Sequence, residues 1–396
     1  MKKKDFILFL VASAILGISQ SIDSSVFNNF LNDTFHITVL QRSLLEIPRE
    51  LPGFLVVFVS GILLFLGDVR IAFVANILAA VGMMGMGFLS SSYGNMIIWL
   101  TLYSMGTHLF MPVSSSIGMN LSDGKNMGKK LGVINGVNTA AFLVTSLSTW
   151  VIFRHVKVNY RIALLVGAVA FLGSALMLFF MTPHREAKKS KRLIIRKEYS
   201  LFYFLSILFG ARKQIFITFG PWVLIKIFNQ GVSTFAILGF VIAGIGIFFK
   251  PLIGHLIDKL GERFILMAEA VALVIVCTGY GLSKSFMNSI GRGDWAIYII
   301  FACFIMDQLL VAVGMARATY LKKIALASED VSPTLSMGIS MDHAVSMFVP
   351  FLGAYIWNAF GYEYVFLGGA CIAIANFFLA SRVNTEKFKA QASIEA

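Results

Sequence analysis

Residues 232–284 read VSTFAILGFVIAGIGIFFKPLIGHLIDKLGERFILMAEAVALVIVCTGYGLSK. Two greasy runs, 232–257 and 264–284, are joined by the polar stretch GHLIDKLGER at 254–263. Each run has the roughly 20 residues that a helix needs to cross a hydrocarbon core of about 30 Å. Backbone in hydrocarbon must satisfy its own hydrogen bonds, so both crossings are predicted to be helical. Gly261 permits the tight turn between them, and Gly254 lets helices approach closely. Asp258 at a helix end can bind a neighbouring helix N-terminus or a basic side chain. Lys259 and Arg263 supply positive charge beside it.

The same alternation fills the chain. Of 396 residues, 58% are hydrophobic and 13% charged, whereas soluble domains run near 45–50% apolar and about a quarter charged. Hydropathy places spans at 6–31, 41–66, 70–90, 95–120, 131–153, 161–182, 200–228, 232–257, 264–284, 295–321, 334–358 and 362–383. The expectation is an all-α integral membrane protein with twelve transmembrane helices. A basic stretch divides them into a first bundle at 1–182, a cytoplasmic linker at 183–199 and a second bundle at 200–396 with a short tail. The opening MKKKDFILFLVASAILG has the order of a signal peptide. Its apolar character continues past Phe30, and it reads as an uncleaved first helix. Cys277, Cys303 and Cys371 lie within apolar runs without metal spacing, and read as packing residues.

The net charge of +13 does not point to nucleic acid. It gathers between apolar runs, at Lys2–Lys4, Lys125–Lys130 and the stretch Arg185–Lys197, without interleaved aromatics. Cytoplasmic loops of membrane proteins carry this excess of Lys and Arg. Both termini are therefore expected in the cytoplasm, and the protein in the plasma membrane. Arg154, Lys157 and Arg161 run against the pattern, in a loop assigned to the outside. The linker could also bind anionic lipid head groups.

An internal repeat is visible at two offsets. Shifting by 193 places Gly17 on Gly210 and Gly61 on Gly254. Shifting by 204 places Leu131 on Leu335 and Asn138 on Asp342. Such repeats place a transport site between pseudo-symmetric halves near the bilayer midplane.

The decapeptide 254–263 fills every defining position of G-x-L-x-D-[RK]-x-G-x-[RK], and on this motif the chain resembles the major facilitator superfamily. A degenerate copy runs from Gly61 to Arg70, with Phe65 where the motif has Asp and with Asp68 three residues later. The resemblance implies two pseudo-symmetric six-helix bundles that rock about a central cavity lined by spans 1 and 7. It also implies a cytoplasmic gate built on Gly254, Asp258, Lys259, Gly261 and Arg263, with Asp68 and Arg70 in the first half. The marks of the superfamily's drug–proton antiporters are absent: span 4 has no Arg and span 5 no Gly-Pro.

Ionised groups in mid-bilayer cost about 2.5–3.5 kcal/mol on insertion scales, so they mark wet cavities or pairs. Span 7 places Arg212, Lys213 and Gln214 about a dozen residues from either end. They read as substrate or coupling-ion contacts, or as fixed partners of an acid such as Asp23. In span 1, Ser13, Gly17, Gln20, Ser24 and Asn28 share a helical face bordered by Asp23. Arg49 in span 2 lies among Glu46, Glu50 and two prolines, and reads as a gate or as a self-contained charge cluster. His108 of span 4 is a candidate contact or a plain interhelical hydrogen-bonding residue. Asp307 beside Gln308 in span 10, and Asp342 beside His343 in span 11, are suitable for proton coupling. Asp342 is alternatively a static partner of Arg317. Trp222, after Gly220-Pro221, is a candidate outer gate or a packing residue.

No HExxH pattern, nucleotide-binding loop or nucleophile elbow occurs, so the chain reads as neither an enzyme nor an ATP-driven pump. No cofactor or metal is expected. The predicted partners are the bilayer, a small organic solute of anionic or zwitterionic character, and protons, with a monomeric chain. Two rivals stand beside this reading: an exporter of amphipathic drugs or lipids, and a sensor that binds without transport.

Overall fold

The computed structural model describes residues 2–63, 66–121, 127–156, 158–183 and 195–384. Phe65, Lys125 and most of the basic linker lie outside these residues. Helices account for nearly everything described. They are α1 (Lys2–Phe35), α2 (Val39–Leu44), α3 (Glu46–Leu63), α4 (Asp68–Phe88), α5 (Tyr93–Asn120), α6 (Met127–His155) and α7 (Tyr160–Phe179). After the linker come α8 (Ser200–Lys226), α9 (Val232–Ser289), α10 (Ala296–Leu310), α11 (Gly314–Ile324), α12 (Val331–Phe360) and α13 (Tyr362–Ala380). Among the described residues, ten helical stretches are long and apolar enough to cross a membrane.

Three expected features take a more broken form. α9 is 58 residues long and changes direction at Gly261, whose φ of 81° is a conformation that a side chain disfavours. The expected second span arrives as α2 and α3, separated by Leu45, with Pro52 inside α3. The expected tenth is split by a 3₁₀ turn at Val311–Val313 into α10 and α11.

The described residues group into two compact units. The first comprises Met1–Ile37, Pro48–Ser190 and Asn229–Ala243, and the second Thr38–Ile47, Lys191–Phe228 and Gly244–Ala396. A short segment from each sequence half is thus counted with the opposite unit.

Within the first unit, small residues bring helices into near-backbone contact. A Cβ on Gly106 would lie 2.4 Å from the Ala75 carbonyl oxygen, and one on Gly82 2.3 Å from the Tyr103 nitrogen. Membrane helices gain no hydrophobic driving force from one another and rely on this close fit. A core of Phe9, Ala12, Ala72, Val113, Ile117 and Leu178 fills the space among α1, α4, α5 and α7. In the second unit, Arg196 pairs with Asp330 at 3.3 Å, and the Tyr199 hydroxyl donates to the same carboxylate at 2.7 Å. This ties the start of α8 to the start of α12.

The polarity of the whole is inverted relative to a soluble protein. Arg42, Glu46, Arg212 and Asp307 are buried, while Ile98, Val144, Ile275 and Phe248 are exposed, the last at 78%. Only a hydrocarbon surround makes that distribution favourable.

Candidate functional site

In the first unit, α1, α3 and α5 converge on a polar cluster. The Asp23 carboxylate is within hydrogen-bonding reach of the Tyr103 hydroxyl and in the field of the Arg49 guanidinium. Ser104, next to Tyr103, donates to the Arg49 carbonyl and lies 3.0 Å from His108 Nδ1. That nitrogen is also 2.9 Å from the Ser104 carbonyl, so His108 is tied to its own helix by one ring nitrogen. Arg49 lies 3.8 Å from Glu50. Glu46, one helical turn from Arg49, pairs with Arg42.

One step along α1, Gln20 Oε1 accepts from Asn138 Nδ2 at 3.2 Å, and the same amide donates to the Ser13 carbonyl at 2.9 Å. Gly17 makes this approach of α1 to α6 possible, since a Cβ there would lie 2.3 Å from the Asn138 carbonyl oxygen.

In the second unit, three ion pairs surround Phe209. Arg212 of α8 pairs with Asp307 of α10, both side chains being 2% exposed. Gln308 donates to the other Asp307 oxygen at 3.1 Å. Arg317 of α11 pairs with Glu269 of α9 at 3.3 Å and stacks 3.7 Å from the Phe209 centroid. Lys213 reaches both Asp342 oxygens at 2.8 Å, and Ser346 donates to the same carboxylate at 3.2 Å. Three cations thus face three carboxylates, and the set is neutral. Arg212 Nε and Nη2 and Glu269 Oε1 have no hydrogen-bond partner among the described residues. Arg212 and Glu269 line a void of ≈10 Å³, room for about one water.

The pairs differ in access. Lys213 and Asp342 retain 17% and 13% exposure, whereas the other two pairs are nearly closed. Asp342 also lines a cavity of ≈170 Å³ formed by α8, α11 and α12, whose walls include Phe209, Ser206, Arg317 and Gly338. Gln214 is fully buried, with its amide turned to Thr218 on its own helix at 3.3 Å. His343 is buried beside Asp342 on α12. Trp222 is sealed in the interior of its unit at 0% exposure, the setting of a packing residue.

The family model of the Major Facilitator Superfamily matches residues 8–327. The chain belongs to the Major Facilitator Superfamily. It is a membrane transporter rather than an enzyme. Solved structures agree on the fold. The nucleoside transporter NupG superposes with a TM-score of 0.76 at 11% identity, over 95% of this chain and 98% of that one. A D-xylose-proton symporter gives 0.70 at 14% identity, over 97% and 98%. An inward-facing, occupied bacterial homologue of the human lysosomal transporter Spinster gives 0.70 at 16%, over 96% and 97%. No curated protein sequence matches the chain.

The superfamily's loop motif has an uneven footing here. Gly261 makes the turn, but a Cβ on Gly254 would meet nothing within 4 Å among the described residues, so no close approach is seen at that glycine there. Asp258, Lys259 and Arg263 are exposed. The ion pair at this end of the unit joins Glu262 to Lys323 at 2.6 Å. In the first unit Gly67 has φ 77° and ψ 152°, almost the 81° and 162° of Gly261. Each is followed by an acid at the next helix start, which makes Asp68 the counterpart of Glu262; Arg70 is exposed two residues further on.

The two repeat offsets meet in one contact. Gly17 packs on Asn138, and a Cβ on its counterpart Gly210 would lie 2.5 Å from Asp342 Oδ1 and 2.8 Å from the Asp342 carbonyl oxygen. At the same register Gln20 meets Asn138 where Lys213 meets Asp342. Gly210→Ala is expected to force α12 from α8 and lower stability by about 1–3 kcal/mol. Gly254→Ala should stay within about 0.5 kcal/mol of the parent. Thermal unfolding of the purified variants checks both.

Glu269, Arg42 and Tyr103 join these clusters only in the structure. A lone acid in an otherwise apolar run, as at Glu269, was the available signal for the first.

Proposed function

We propose that the protein is a secondary active transporter that carries a small zwitterionic or anionic solute across the plasma membrane by alternating access, coupled to protons. In this reading twelve helices cross the membrane: α9 crosses twice, α2 with α3 makes one crossing and α10 with α11 another. Two pseudo-symmetric bundles of six rock about a midplane site, with both termini in the cytoplasm. The matching Gly17–Asn138 and Gly210–Asp342 contacts support that symmetry.

The observation that carries the solute assignment is the Lys213–Asp342 pair, whose aspartate lines a cavity. Each partner offers accessible charge, and a solute that replaces one must leave the other satisfied. A zwitterion does so directly, its carboxylate on Lys213 and its ammonium on Asp342. An anion does so when a proton neutralises Asp342. Either exchange keeps the low-dielectric interior neutral, which avoids burying an unpaired charge. Arg212, closed on Asp307, serves as a fixed partner and not as a docking cation.

Proteoliposomes loaded against an inward proton gradient, and offered panels of amino acids, organic anions, nucleosides and pentoses, test the assignment. Accumulation of a zwitterion or anion that collapses with a protonophore is expected. Saturable binding of such a solute without flux would identify a sensor, and flux confined to uncharged or amphipathic compounds would overturn the solute class.

A further inference from the structure

Pro221, inside α8, has no N–H to give to the Ile217 carbonyl one turn earlier. In a membrane-embedded helix that carbonyl needs another donor. The structure brings one from a different helix: Arg42 Nη2 lies 3.3 Å from the Ile217 oxygen. The other terminal nitrogen of Arg42 pairs with Glu46, and both side chains are 0% exposed. α2 is only six residues long, but a capping box between Thr38 and Gln41 makes it a firm platform for the arginine. On the neighbouring residue, the Tyr280 hydroxyl donates to the Gly220 carbonyl at 2.6 Å. The break in α8 is therefore bonded by side chains brought from α2 and α9.

We propose that Arg42 is a positioning residue whose guanidinium stands in for the missing Pro221 N–H and makes the α8 break a releasable joint. A backbone N–H within a helix cannot leave its carbonyl without unwinding the helix. A side chain on a separate short helix can. With Arg42 engaged, α8 is held in one bend and Arg212 and Lys213 are held in register. With Arg42 withdrawn, the Ile217 carbonyl is freed and α8 can flex at Gly220-Pro221. Glu46 keeps the arginine charge-paired in both conditions, so engagement changes one hydrogen bond and not the buried charge. The use of this joint in turnover rests on the transport reading; the bonding does not.

A double-mutant cycle between Arg42→Gln and Pro221→Ala tests it, in nanodiscs and without any solute. Arg42→Gln is always made together with Glu46→Gln, and Arg42 is never left without Glu46, so that neither buried charge is orphaned. Pro221→Ala returns the N–H to Ile217, so Arg42→Gln should lower the unfolding midpoint clearly with proline present and far less with alanine. An equal loss in both backgrounds overturns the substitution of guanidinium for N–H. Where the glutamine variant does not fold, Arg42→Lys with Glu46 intact replaces it, since one ammonium cannot reproduce the two-pronged contact. The second readout is labelling of Ile227→Cys by a maleimide, with the three native cysteines replaced by serine. Arg42→Gln should speed labelling several-fold and Pro221→Ala should reverse the gain. Labelling unmoved by Arg42→Gln overturns the releasable joint even if the stability cycle shows coupling. A protein that binds solute but moves none would still give both results, which separates this inference from the transport assignment.

Discussion

Asp307→Leu is expected to destabilise the protein by about 3–5 kcal/mol, enough to strip most of it from the membrane fraction. The substitution removes the sole carboxylate paired to the Arg212 guanidinium among the described residues, and that guanidinium is closed off at 2% exposure. An unpaired cation in such a place is cut off from bulk water, and two of its nitrogens already lack partners among the described residues. The compensating change makes the argument specific. Arg212→Met with Asp307→Leu removes both charges at similar volume, and pairs replaced in this way often return to near-parental stability. The double variant should therefore melt close to the parent while either single variant melts far below it. If Asp307→Leu alone melts with the parent, the pair is not buried as described. The double variant also separates roles: retained flux would confirm Arg212 as a fixed strut.

The second large effect is kinetic. Lys213→Gln with Asp342→Asn should fold, since both charges go together and the partners keep polar ends of similar size. It should lose solute flux by at least about tenfold, the loss expected when a charge-assisted contact worth about 1.5–3 kcal/mol is removed. The single variants should diverge. Lys213→Gln leaves Asp342 without its cation and should abolish uptake of an anion. Asp342→Asn leaves Lys213 ready to receive one without a proton. Substrate exchange between equal pools should survive in that variant, while accumulation driven by a pH gradient should not.

The fold was largely readable because a bilayer imposes simple rules. The apolar runs on either side of Gly261, the positive-φ turn and the 193-residue register of Gly17 on Gly210 all reappear as structure. The pairing of charges was not readable. Local spacing offered Arg49 to Glu46, but it gave no sign that Glu46 pairs with Arg42 or that Arg49 faces Asp23. The sequence leaves Asp342 open to Arg317, but it holds Lys213, and Arg317 turns to Glu269. Which helix faces which depends on packing between segments far apart in the chain, and a side-chain period along one helix carries no record of it. The Arg42 contact was hidden for the same reason. Pro221 announces a freed carbonyl, but nothing near it in sequence names the donor.

The central claim is that solute and proton are exchanged at the Lys213–Asp342 pair. The most direct measurement compares Asp342→Asn with the parent in proteoliposomes, for the solute the flux panels identify, in exchange mode and under an imposed pH gradient. For an anionic solute the account predicts exchange near the parental rate and no gradient-driven accumulation; for a zwitterion, whose ammonium docks on Asp342, it predicts the loss of both. Accumulation by Asp342→Asn at the parental level, with the same dependence on the gradient, would contradict it.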